Sequence, residues 1–218
     1  GYVPSDPSQK EPAKMANPTL GWERTTQYNV GVDYGFFNNR LTGSIDAYKT
    51  KTDDLLLEMS IPSLTGYVST YANVGKTSNI GVDITLNTVN VKTRDFEWST
   101  SINAAWQKDK IDELANGKED DINNNWFIGQ ALGVIYGYEC GGLWKEEDAA
   151  EMAKFNANGH SYKPGDLRFV DKNGDYKIDA TDRDILGQKM PKWTAGMGNT
   201  FRYKDFDFYV FMYGMFGH

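Results

Sequence analysis

The residues whose types and spacing could do chemistry are concentrated in one stretch, Asp171-Lys172-Asn173-Gly174-Asp175-Tyr176-Lys177-Ile178-Asp179-Ala180-Thr181-Asp182. Side-chain oxygens fall at loop positions 1, 3, 5, 9 and 12, with the Lys177 carbonyl available at position 7. That is an all-oxygen donor set of the kind a hard cation takes with about 6–8 ligands, so Asp171, Asn173, Asp175, Lys177, Asp179 and Asp182 are expected calcium ligands. The ion's role would be structural, clamping a long loop, with Ile178 anchoring it on apolar surface. Two positions depart from an EF-hand. Tyr176 stands where glycine makes the sharp turn, and Asp182 is shorter than the usual bidentate Glu. The register is closer to dockerin-type or thrombospondin-type acidic loops, and the competing reading is a solvated acidic turn with no ion.

Catalysis has little material. His160 and His218 have no serine or cysteine nucleophile pattern beside them, and Cys140 sits among glycines, so no enzymatic activity is expected. The carboxylate runs at 112–121 and 146–148 read as solvated loop surface. A lone cysteine forms no internal disulfide. A net charge of -7 suits a phosphate backbone poorly, which excludes nucleic acid as an expected partner.

These residues must be positioned by strands. Tyr28, Val30, Val32, Tyr34 and Phe36 alternate with Gln27, Asn29, Gly31, Asp33 and Gly35, which gives a strand one apolar and one polar face. Asn38-Asn39 suits a tight turn, and Leu41, Gly43, Ile45 and Ala47 share a face of the return strand. Ile80, Val82, Ile84 and Leu86 repeat the pattern, as do Phe96, Trp98, Ile102 and Trp106 after a charged turn at 92–95. A third pair follows, Trp193 to Tyr203 and, past Lys204-Asp205, the aromatic run Phe206 to Phe216. Six strands in three hairpins are thus expected, with loops at about 55–78 and 108–192 on the other side. Residues 145–155 read as a short helix whose Met152 and Phe155 pack on a barrel rim.

Short turns at one end and long loops at the other are the pattern of a transmembrane β-barrel. Trp22, Tyr34, Phe36, Phe37, Trp98, Trp106, Trp193, Phe201 and Tyr203 lie near strand ends, where aromatic girdles meet headgroups. The polar face suits a wet or plugged lumen. A soluble β-sandwich would alternate too, without explaining so lopsided a loop distribution. Six strands would leave raw edges in lipid, so further strands are expected outside this stretch of 218 residues. The opening Gly1-Tyr2-Val3-Pro4 has no basic or apolar leader pattern, and any signal peptide is expected to lie outside it.

Several motifs together resemble one family. Asn17-Pro18-Thr19-Leu20-Gly21-Trp22-Glu23 followed by Gln27-Tyr28-Asn29-Val30-Gly31-Val32-Asp33 is similar to a segment of SusC/RagA-type TonB-dependent outer-membrane transporters. Asn39-Arg40-Leu41-Thr42-Gly43-Ser44-Ile45-Asp46-Ala47-Tyr48, running on to Thr52-Asp53-Asp54-Leu55-Leu56, resembles it too. So do Asn73-Val74-Gly75, Asn79-Ile80-Gly81-Val82-Asp83, the stretch from Pro164-Gly165-Asp166 to Asn173-Gly174-Asp175, and Gly187, Pro191 and Gly196. The resemblance implies an all-β fold in which residues 1–218 form six antiparallel strands in the C-terminal half of a large, roughly 22-stranded transmembrane β-barrel. Residues 108–192 would be a long extracellular loop carrying the acidic motif, with the plug domain and closing strand outside the chain.

The resemblance also implies a place in the outer membrane of a Gram-negative bacterium, in contact with its lipid. It implies import of glycan oligosaccharides or peptides together with a SusD-like surface lipoprotein, and energy from the TonB complex acting through parts outside this chain. Substrate contacts would come from loop aromatics, with Tyr67, Tyr71, Trp126, Phe127 and Trp144 as candidates. The rivals are a soluble β-sandwich binding module with a calcium-clamped loop, and a siderophore- or cobalamin-type receptor.

Overall fold

The computed structural model describes residues 14–62, 64, 66–115 and 117–218. Six strands form one antiparallel sheet: β1 (Arg24–Phe36), β2 (Leu41–Ser60), β3 (Ser69–Lys92), β4 (Phe96–Leu114), β9 (Trp193–Tyr203) and β10 (Phe206–Phe216). Each pairs with its neighbour in chain order, so the sheet is a meander. The remaining elements lie between β4 and β9. They are β5 (Val134–Tyr138), β6 (Cys140–Leu143), the helix α1 (Ala149–Ala157), β7 (Leu167–Phe169) and β8 (Arg183–Gln188).

Turn chemistry sets the register. Phe37, Asn38 and Asn39 all take positive φ, and the Arg40 amide closes the turn on the Phe37 carbonyl at 3.2 Å. Left-handed backbone is cheapest for residues such as Asn. From this turn Phe36 pairs with Leu41, Val32 with Ile45 and Tyr28 with Lys49. Directly opposed residues share a face, so one row can be followed across the sheet: Val32, Ile45, Ile84, Ala104, Ala195 and Gly214. The alternating apolar positions of the first five strands, and the even-numbered residues of β10, therefore fall on one face.

That face has nothing over it among the described residues. Val32 is 61% exposed, Phe208 63% and Phe206 79%. The opposite face carries Asn29, Asp46, Asp83, Asn103 and Thr200, with Asp46 and Asp83 directly opposed. The last hairpin breaks the rule. Tyr209, Phe211 and Tyr213 of β10 lie on the polar face, where Tyr209 and Phe211 lean over Gly198 and Gly196 of β9. A Cβ on Gly198 would stand 2.7 Å from the Tyr209 hydroxyl, so only glycine lets that ring lie flat there.

Two expected boundaries move. Residues 55–78, read as a loop, are largely strand, since β2 and β3 continue to pair out to Ser60 and Ser69. A bulge permits it. Asp54 adopts φ 57° and the register shifts between Thr52 and Leu55, which re-aims the leucines beyond and hides their alternation. Asn73 pins the bulge by donating to the Asp54 carbonyl at 2.8 Å and to the Gly21 carbonyl at 3.1 Å, while accepting from the Gly21 amide at 2.7 Å. β4 likewise continues to Leu114.

Residues 134–189 form a separate compact unit. β5 pairs with β8 and β6 with β7, both antiparallel. The core here is Trp144, Met152 and Phe155, with Tyr162, Tyr176 and Ile178 packed on it. Met152 and Phe155, expected against a barrel rim, are instead the buried centre of this local core, a correction to the sequence reading. Ile178 anchors its loop there as well.

Candidate functional site

Three places could meet a ligand. The first is a cavity of about 550 Å³ at the far end of the extended strands, lined by Met59, Leu114, Glu119, Asp120, Asp121 and Trp126 among others. Its wall is built by main-chain pairing. The Ile111 amide donates to the Gln130 carbonyl and the Gly129 amide to the Ile111 carbonyl, each at 2.8 Å, so the segment following residue 120 is zipped onto β4. Asp121 caps the short helical turn Ile122–Asn124, accepting from the Asn124 amide. Asn125 then takes φ 57°, and Asp121 and Trp126 exchange two main-chain hydrogen bonds of 2.8 and 2.9 Å. Trp126 and the acidic residues Glu119, Asp120 and Asp121 thus line one cavity. Its volume lies in the range of small-ligand pockets, and one aromatic face with several acceptors suits hydroxyl-rich or amide-bearing ligands.

Of the other expected contact residues, Phe127 is buried at 9% exposure and Trp144 at 2%, so both are packing residues. Trp144 meets Phe155 edge-on at 5.4 Å, and the Arg168 guanidinium lies over its ring at 4.7 Å. Tyr71 is 39% exposed, but Lys14 occupies it, with Nζ 4.7 Å above the ring and 3.1 Å from the hydroxyl. Lys14 also pairs with Glu58 at 2.8 Å. That lysine and the Ser69 hydroxyl hold the Glu58 carboxyl below its ordinary range. Tyr67 is half-buried. Of the five, only Trp126 therefore lines the cavity, and its acidic neighbours, read as solvated surface in sequence, complete that lining. The run Glu119-Asp120-Asp121 before a tryptophan was the available signal.

The second place is the polar face of the sheet, where Asp83, Asn103, Thr194, Phe211 and Tyr213 line a shallow depression of about 350 Å³.

The third is the 171–182 loop. Tyr176, the residue at odds with the expected turn, adopts φ 60°. Its ring packs edge-on against Phe155 at 5.6 Å, under the Lys154 ammonium at 4.8 Å, and this packing offsets the cost of left-handed backbone. The side-chain oxygens turn onto the loop's own amides. Asp171 accepts from the Gly174 and Tyr176 amides at 2.7 and 2.8 Å, and Asp175 from the Lys177 amide at 2.8 Å. Asp182, fully buried, accepts from the Lys172 and Asp179 amides, each at 2.9 Å. The Thr181 amide and hydroxyl hold the Asp179 carboxyl below its ordinary range. Among the described residues no three His, Cys, Asp or Glu side chains are gathered as a metal cluster. The donor chemistry suits calcium; as folded, the loop is closed by its own hydrogen bonds.

A meandering sheet with one exposed apolar face, one polar face, short turns at one end and long excursions at the other defines a segment of a membrane β-barrel wall. The chain belongs to the TonB dependent receptor-like β-barrel family, whose model matches residues 4–216. It is 34% identical over 214 residues to TonB-dependent receptor P3 of Formosa agariphila, covering 93% of this chain and 21% of that protein. It is also 34% identical to the TonB-dependent receptor SusC of Bacteroides thetaiotaomicron over 206 residues, 89% of this chain and 19% of SusC. Among solved structures, the RagAB peptide transporter matches with a TM-score of 0.72 at 26% identity, over 92% of this chain and 22% of that one. The chain thus spans about a fifth of the length of these relatives. The sequence resemblance to SusC/RagA-type receptors and the all-β fold are both confirmed.

Proposed function

We propose that the whole protein is an outer-membrane importer powered by TonB, in which this segment supplies a quarter or so of the barrel wall. The observation that carries this is the exposed, mainly apolar face that register carries across six strands, opposed by a face that is polar from β1 to β4 and on β9. Trp98 and Phe201 stack at 5.7 Å near the short turns, and Trp106 meets Trp193 at 6.1 Å eight residues further along β4. Eight residues span about 27 Å along a strand and about 21 Å along the normal of a membrane at ~40° tilt. That height suits a hydrocarbon core between two aromatic girdles. A soluble sandwich would have to bury Val32, Phe206 and Phe208, which here lie open.

The cargo reading is glycan oligosaccharides or peptides, captured with a SusD-like surface lipoprotein as lid. Support comes from the likeness to SusC and to the RagAB peptide transporter and from the acidic, tryptophan-bearing cavity. Deleting the gene and growing the strain on defined oligosaccharides, on peptides, and under iron or cobalamin limitation tests it. A defect confined to one polymer class supports the reading; a defect only under iron or cobalamin limitation sinks it.

Calcium at the 171–182 loop is a further part of this proposal. It is supported by the oxygen donors at five loop positions and by the left-handed Tyr176. Calcium titration by calorimetry, with Asp171→Ala and Asp175→Ala as controls, decides it. Heat that is absent in wild type, or unchanged in the variants, refutes the site.

A further inference from the structure

The apolar face of the sheet does not simply stop beyond the Trp106–Trp193 girdle. On β2 the next positions of that face are Lys49 and Lys51, and on β4 they are Lys108 and Lys110. Register locks them together. Lys49 and Lys108 both oppose Ile80 of β3, and Lys51 and Lys110 both oppose Ser78. With strands about 4.8 Å apart and alternate residues about 7 Å apart, the four Cα atoms mark a rectangle of about 10 by 7 Å centred on β3. All four side chains are exposed. Arg24, opposite Asp53 on β1, extends the row by one strand.

Two carboxylates answer these five cations. Asp53 pairs with Lys51 at 3.3 Å and Asp112 with Lys110 at 2.8 Å. Lys49 and Lys108, the two nearest the girdle, have no ion-pair partner among the described residues. A chain of net charge -7 thus concentrates positive charge at one edge of its apolar face. The other edge is built differently. At the short-turn end the strand positions of the same face finish on Phe36, Leu41, Phe96, Tyr203 and Phe206, and the one lysine seen against them, Lys204 of the last turn, lies over the Tyr203 ring at 5.4 Å.

We propose that Lys49, Lys51, Lys108 and Lys110 form a docking site for the anionic phosphate groups of lipid headgroups in the leaflet at the long-strand end of the barrel. The inference rests on the membrane reading above. Position carries it. A cargo crossing the barrel meets the opposite, polar face, whereas this row stands where acyl chains give way to headgroups. Lysine stems can lie on the apolar wall while their ammoniums reach into the polar layer. A phosphate seated over Ser78 and Ile80 is within reach of ammoniums from both flanking strands, and anionic headgroups attract such basic clusters.

The test uses the full-length protein in phosphatidylcholine nanodiscs carrying either bis-phosphorylated lipid A or the same lipid after dephosphorylation. Native mass spectrometry then counts the retained lipid. Wild type should retain about tenfold more of the phosphorylated form. The K49Q/K51Q/K108Q/K110Q variant should lose that preference, and the matching lysine-to-arginine variant should keep it. Should the glutamine variant fail to fold as a heat-modifiable barrel, the wild-type preference must instead fall steeply with added salt. No preference in wild type, or an undiminished one in the folded glutamine variant, overturns the proposal. An oligomer that dissociates in that variant, with no lipid preference, overturns it too and makes the face a contact between copies. Failure of the membrane reading looks different: the protein would stay monodisperse without detergent and would not enter nanodiscs.

Discussion

The six-stranded sheet and the 134–189 unit use the same residue types in opposite senses. In the sheet, Phe206, Phe208 and Val32 stand more than half exposed on a common face. In the smaller unit, Trp144 and Phe155 are 2% and 3% exposed and are ringed by Met152, Tyr162 and Tyr176. The first region turns its apolar residues outward, the second withdraws them into a core of its own. Hydrophobic burial explains only the second. The sheet is held by ladder hydrogen bonds and cross-strand pairs, and its apolar residues find their place only against lipid.

This contrast can be broken in either region. The largest effect is expected from Trp144→Ala, which removes the centre of the small core and should cost about 3–5 kcal/mol. Fast amide exchange and proteolysis across 134–189 should follow, with the barrel's heat modifiability unchanged. Trp144→Phe should be far milder, because the buried indole N–H has no hydrogen-bond partner among the described residues. Next comes Leu86→Arg, at mid-height on the apolar face between Gly43 and Ile102. It should destabilise the folded barrel in bilayers by about 2–4 kcal/mol, measured by urea titration in vesicles. Arginine at the neighbouring Thr85, on the polar face, should cost well under half of that; equal losses would end the two-faced reading.

Asp182→Ala should cost about 1–3 kcal/mol, since it strands the Lys172 and Asp179 amides. Exchange at those two amides reports it directly. The smallest effect concerns pH. Lys172 pairs with Asp184 and, at 3.5 Å, with Glu139. The Lys172 ammonium holds the Asp184 carboxyl below its ordinary value, and Asp184 in turn holds Lys172 above its own. A depressed carboxyl contributes stability above its unfolded value of about 3.9 and loses it as pH falls through the lower folded one. The raised lysine contributes below about 10.4 and loses its share as pH rises through the higher folded value. Protease resistance of 134–189 should therefore be flat from about pH 5 to 9 and fall at both extremes. Because the pair is exposed, salt should blunt the effect. A midpoint near neutrality would assign it to other groups.

Much of the sheet was legible because strand alternation is local. Turn residues such as Asn38 and Asn39 lock the register, and register carries each residue's face to the next strand. The 55–78 region was misread for an equally local reason: the bulge at Asp54 shifts the phase, and Leu55-Leu56-Leu57 no longer alternates. The aromatic run of β10 was ambiguous because both its faces are aromatic, and only pairing with β9 shows that Tyr209 and Phe211 lie over glycines. Of the cavity, Trp126 was visible as a loop aromatic, while its acidic neighbours looked like ordinary surface.

By itself, then, the sequence determined the class of fold, the two faces of each strand, the short-turn end, and the acidic loop whose donors sit at fixed spacing. Each depends on neighbours within a few residues. Only the tertiary structure decided that Trp144 and Phe155 make a core of their own, that Asn73 staples residue 21 to the bulge, and that Lys49 and Lys108 flank one isoleucine. Those juxtapositions join positions tens of residues apart, and they exist only once hydrogen-bonded register has brought the strands side by side.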